Sequence, residues 1–94
     1  MYKIFQITLV ASIFAASTLA KSFCKCRNIQ NKPDDTGTYT CCVDETLSAE
    51  YNLVWSVTHR RCDCPDDSLY NDQSVWAACC NSVSPGDGHN CNLG

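Results

Sequence analysis

The cysteines of this chain fall as Cys24-x-Cys26, Cys41-Cys42, Cys62-x-Cys64, Cys79-Cys80 and Cys91. The first four and the next four are related by one offset of 38 residues, which also pairs Asp34 with Asp72 and Asn52 with Asn90. The pattern predicts two structurally similar halves, about 21–56 and 59–94. All nine cysteines lie in the last 74 residues, about 12% of that stretch, a density typical of a disulfide scaffold. Leu, Ile, Val and Phe together number 11 there, about 15%, too few for a sizeable core without cross-links.

Residues 1–20 read as a secretory signal peptide. One early cation, Lys3, precedes a short apolar run that ends in Thr18-Leu19-Ala20. Gln6, Thr8 and Ser12 interrupt that run, and it is too short for a bilayer span. Residues 21–94 are expected to be a single disulfide-rich domain, secreted and extracellular, where thiols oxidise. Six cations and ten anions leave its side chains at a net −4. This balance argues against nucleic acid, whose binding draws on a basic surface, and against an anionic membrane surface. No membrane insertion is expected.

Within each half the local pattern is strand, helix, strand. Residues 22–28 alternate, with Phe23, Lys25 and Arg27 on one face and Cys24 and Cys26 on the other. Residues 33–37 carry turn chemistry. Residues 38–50 suit a helix capped by Thr38 or Thr40. Residues 51–58, with Tyr51, Leu53, Trp55 and Val57 alternating, form the strongest predicted strand. The second half repeats the order. A short strand at residues 61–64 ends at Pro65, and a helix follows the capping residues Asp66, Asp67 and Ser68. Only Asp72 breaks the apolar stripe of that helix. A turn then leads to a last strand at residues 89–93. The expected fold is α+β: a small, disulfide-rich, ferredoxin-like split βαβ sandwich, with a four-stranded antiparallel sheet and two helices on one face. Strand thiols at i and i+2 share the helix-covered face, so strand-to-helix disulfides are expected to staple the two layers.

Adjacent cysteines seldom bond each other, so Cys41 and Cys42 should take different partners, as should Cys79 and Cys80. Nine thiols make four bridges and leave one odd thiol, and the spacing does not choose among the pairings. Cys80 with Cys91 is one attractive pair, because a tight turn lies between them. The odd thiol leaves a monomer or a disulfide-linked dimer as the expected states. Finger-type zinc sites favour wider gaps than Cys-x-Cys, and secretion oxidises thiols, so no metal and no cofactor is expected.

Other residue types carry less. His59 and His89 are not equivalent under the offset, and both read as solvated. No nucleophile motif accompanies them, so no catalytic residue is assigned and the chain reads as non-enzymatic. His59-Arg60-Arg61 has the form of a dibasic processing site, followed at once by Cys62. Trp76 is expected in the core. Trp55 and Tyr51 are candidate binding residues, with Tyr39 and Tyr70 as companions, because Trp and Tyr are favoured interface anchors.

Phe-Cys-Lys-Cys near residue 24, Thr-Tyr-Thr-Cys-Cys at 38–42, and Trp76 ahead of Cys79, Cys80 and Cys91 together resemble small secreted cysteine-rich proteins of filamentous fungi. Many of those are candidate effectors of plant-associated species, and some have a killer-toxin-like fold of βαββαβ type. That pattern commonly has eight cysteines; this chain has nine, having both Cys62 and Cys64. The resemblance implies a virulence-type effector that binds an extracellular host or competitor molecule, either protein or glycan. A killer-toxin-like antimicrobial protein and a secreted enzyme inhibitor acting through residues 84–90 are the alternative expectations.

Overall fold

The computed structural model describes residues 20–94. The expected signal segment, apart from Ala20, lies outside the described residues. Strand β1 spans Ser22–Arg27, and its residues alternate between buried and half-buried as the sequence pattern requires. Helix α1 (Asp35–Cys42) begins at Asp34, whose carboxylate accepts from Gly37 N at 3.0 Å. The expected cap, Thr38, instead sits inside the first turn. Its hydroxyl donates to Asp34 O and accepts from Cys26 N at 2.9 Å, and so ties β1 to α1 while fully buried.

The helix expected over residues 38–50 is broken. Asp44 recaps the chain by accepting from Leu47 N at 3.1 Å, and α2 (Glu45–Tyr51) starts there. It ends at Asn52, which takes the left-handed conformation common at helix ends. Tyr51 therefore closes a helix and does not open a strand. The long strand expected over residues 51–58 contracts to β2 (Val54–Ser56), because residues 57–60 form a turn with Arg60 at φ 51°.

Strand β3 is Arg61–Cys64. Short helix α3 (Ser68–Asn71) and long helix α4 (Gln73–Val83) are separated at Asp72, the residue that interrupts the apolar stripe. Asp72 is held by the Tyr51 hydroxyl, which donates to Oδ2 at 2.6 Å. A turn with Gly86 at φ 97° leads to β4 (Gly88–Leu93).

The sheet order is β2-β3-β1-β4, with every neighbouring pair antiparallel. This is the split βαβ order. The helices pack on the face that carries Cys24, Cys26, Cys62 and Cys64, all of them without exposed surface. Trp76 fills the space between α4 and the sheet, fully buried, and its indole N–H donates to Lys25 O at 3.2 Å. Leu47, Tyr51, Leu53 and Leu69 complete a core in which cysteine is the commonest residue.

Four disulfides hold this arrangement: Cys24–Cys91, Cys26–Cys80, Cys41–Cys79 and Cys42–Cys62. Two join strand to helix as expected, Cys26–Cys80 and Cys42–Cys62. Cys41–Cys79 joins helix to helix, and Cys24–Cys91 joins β1 to β4. The expected Cys80–Cys91 pair is not formed, because Cys91 lies directly opposite Cys24 in the sheet register and Cys80 faces Cys26. Every one of the four bonds links the first half of the chain to the second.

Candidate functional site

Among the described residues, the helices cover one face of the sheet and leave the other open. Register assigns the open face to Val54 and Ser56 on β2, Arg61 and Asp63 on β3, Phe23, Lys25 and Arg27 on β1, and Gly88, Asn90 and Asn92 on β4. Arg61 is fixed twice. Its Nε donates to Asp63 Oδ1 at 2.8 Å, and its guanidinium lies 3.9 Å from the Phe23 ring centroid. Such a stacked, paired guanidinium is preorganised.

Around this group is a shallow concavity of about 590 Å³, reached by Phe23, Ser56, His59, Arg61, Asp63 and Leu93. Ser56 Oγ accepts from His59 N at 3.2 Å and stands 3.4 Å from His59 Nδ1. Both contacts come from one tight turn. Asp63, the carboxylate in the same concavity, is engaged by Arg61, so no base–orienter relay is assembled.

The two aromatic candidates part company. Trp55 lies opposite Cys62 in the register and so turns toward the helix side, half-buried at the sheet edge. It meets Tyr39 of α1 edge-on, with ring centroids 5.4 Å apart and planes at 88°. Tyr39 is about half exposed, so the pair forms an aromatic corner at the surface. Tyr51 is in the core. Its bond to Asp72 keeps its hydroxyl protonated well above the usual phenol range. The structure brings Trp55 to Tyr39, and does not bring it to Tyr51.

Cys64 is the odd thiol, and it has no exposed surface. Its sulfur donates to Tyr51 O at 3.4 Å. An intermolecular disulfide through Cys64 would require the helices to lift off the sheet. The dibasic pair is also constrained: the peptide bond after Arg61 lies in β3, an interior strand hydrogen-bonded on both sides.

A second acidic contact has no counterpart in the sequence motifs. Asp87, in the turn before β4, faces Asp34 at the start of α1. Its hydrogen bond to Asp34, with burial and repulsion adding to it, raises Asp87 from 3.8 to about 6. The same contact, with Gly37 N, lowers Asp34. Asp87 Oδ2 is buried and meets no donor among the described residues, which also disfavours the ionised carboxylate.

Among the described residues no helix is long and apolar enough to cross a membrane. Comparison with family models, with curated proteins and with solved structures finds no match.

Proposed function

We propose that this chain is a secreted, disulfide-stapled protein that acts outside the producing cell by binding a host or competitor molecule, without turnover, in the manner of the fungal effector-type proteins its cysteine spacing resembles. The observation that carries this reading is the placement of the paired cysteines. Six of the eight are buried in the core as bridges between elements, and the other two, Cys79 and Cys91, pack against it. A core built from sulfur bridges persists where thiols stay oxidised. It also leaves the open sheet face outside the core, while at the Tyr39–Trp55 corner Trp55 packs against the core and Tyr39 is about half exposed.

The test is expression of the full chain in a secreting host. The expected result is release into the medium with eight cysteines oxidised by alkylation and mass spectrometry, and recovery of a partner when the folded protein is passed through host extracellular fluid. Retention in the cell with nine free thiols would overturn the reading.

A further inference from the structure

The charges of this molecule are sorted by layer. The four helices of the described residues contain no Lys or Arg. Their ends collect the anions: Asp34 and Asp44 cap α1 and α2, Asp35 and Glu45 occupy the first turns, and Asp66, Asp67 and Asp72 flank α3. Asp34, Asp35, Asp44 and Glu45 are placed where a carboxylate answers a helix N-terminus. The sheet shows the reverse. Lys21, Phe23, Lys25 and Arg27 occupy alternate positions along β1 and the residue before it. The backbone at Lys21 still belongs to the ladder, since its N donates to Cys64 O and its O accepts from Gly94 N. Four side chains therefore run in one line down the open face, over about 20 Å at the rise of an extended strand.

Three of the four are cations, and none of the three has an ion-pair partner among the described residues; the two ion pairs there use Arg60 and Arg61. Among the described residues Asp63 is the one anion on this face, and Arg61 pairs with it. The anionic helix layer lies on the far side of the sheet, on the order of 10 Å behind, so a ligand at the open face meets the cations in direct contact and the anions only at longer range.

Resting on the binding function proposed above, we infer that this line on β1 is a docking track for a linear, carboxylate-bearing polysaccharide. Three features point to that chemistry. The cations repeat along a line, as the charges of a linear polyanion do. Phe23 interrupts them with an aromatic ring, and Asn90 and Asn92, opposite Lys25 and Phe23, add amides suited to sugar hydroxyls. Finally, β1 is an interior strand with both edges paired, so an acidic peptide cannot add to it as a strand and gains no backbone bonds there.

The experiment uses the purified, oxidised chain and measures binding to polygalacturonate, to the same polymer with its carboxylates methyl-esterified, to poly-glutamate and to a single-stranded oligonucleotide. The expected result is preference for the uronate polymer, with affinity falling as salt rises. Lys25→Glu with Arg27→Glu should weaken it about tenfold or more, whereas Lys32→Glu, off the track, leaves it unchanged. Disulfide mapping of each variant shows that the fold is kept. Equal binding to the esterified polymer, tighter binding to poly-glutamate or the oligonucleotide, or an unaltered double variant overturns the track. If the track fails while a partner is still recovered from extracellular fluid, the binding function stands without it. Retention in the cell would sink that function whatever the polymer result.

Discussion

Cys41 and Cys79 bond to each other across a sequence separation of 38, the same offset that relates the two halves of the chain. The disulfide therefore joins two equivalent positions, one on α1 and one on α4, and lies where an approximate two-fold axis would pass. The remaining bonds depart from that symmetry. Cys26–Cys80 would have Cys64–Cys42 as its mate, but Cys42 is bonded to Cys62 and Cys64 is left over. The departure begins at Cys91. It bonds Cys24, whereas Cys62, the equivalent of Cys24, has Trp55 opposite it in the register. With no cysteine there, Cys62 turns to the helix instead.

This broken symmetry predicts a rewiring. In Cys62→Ser, Cys42 loses its partner and should bond Cys64, restoring the mate of Cys26–Cys80. Peptide mapping under non-reducing conditions should recover a Cys42–Cys64 link with the other three bonds unchanged. Two free thiols at 42 and 64 would count against the symmetry argument.

Cys64 should be silent in the native protein. Without exposed surface, its thiol is shielded from reagents that the thiolate would attack rapidly in the open chain. Titration with a thiol reagent should find essentially none in native buffer and one per chain in denaturant without reductant. Prompt native reactivity would contradict the burial.

The Asp34–Asp87 contact predicts a pH dependence. Asp87 has a folded value raised from 3.8 to about 6. Its stabilising contribution is thus complete below the unfolded value and is lost as pH rises through about 6. Asp34 is lowered, so its contribution is present above its unfolded value and is lost as pH falls through the folded one. The pair holds one proton best between these limits. The melting temperature should fall by a few degrees from pH 5 to pH 7. In Asp87→Asn, whose amide still donates to Asp34, that slope should disappear.

The two tryptophans should separate cleanly. Trp76 is fully buried and bonded to Lys25 O, and Trp76→Ala should cost about 3–5 kcal/mol. Trp55 is a half-buried edge residue whose main specific contact is Tyr39, and Trp55→Ala should cost about 1 kcal/mol. Denaturant unfolding of both variants checks the order.

Much of this architecture was legible in the residues. The alternation of β1, the shared face of Cys24 and Cys26, the core place of Trp76 and the strand order all follow from spacing and from the sparsity of aliphatic side chains. What was not legible depended on polar groups that act both locally and at a distance. Asp44 reads as one more helix-compatible residue, yet its side chain starts a new helix. Tyr51 alternates like a strand residue, but its hydroxyl is claimed by Asp72, 21 positions away, and Asn52 then ends the helix in a left-handed conformation. The disulfide partners turned on register, which places Cys91 opposite Cys24. The open face was readable one strand at a time. Its line of unpaired cations emerged only once β1 was known to lie inside the sheet, with the anions gathered behind it.

All four disulfides cross the stretch between Cys42 and Cys62, and none is confined to one half. A backbone cut anywhere in that stretch, including at the Arg60-containing turn, yields two fragments still joined at four points. Such a nicked molecule keeps its mass on a non-reducing gel and separates into two bands only when reduced. In a protease-rich medium, the chain can therefore lose its continuity without coming apart.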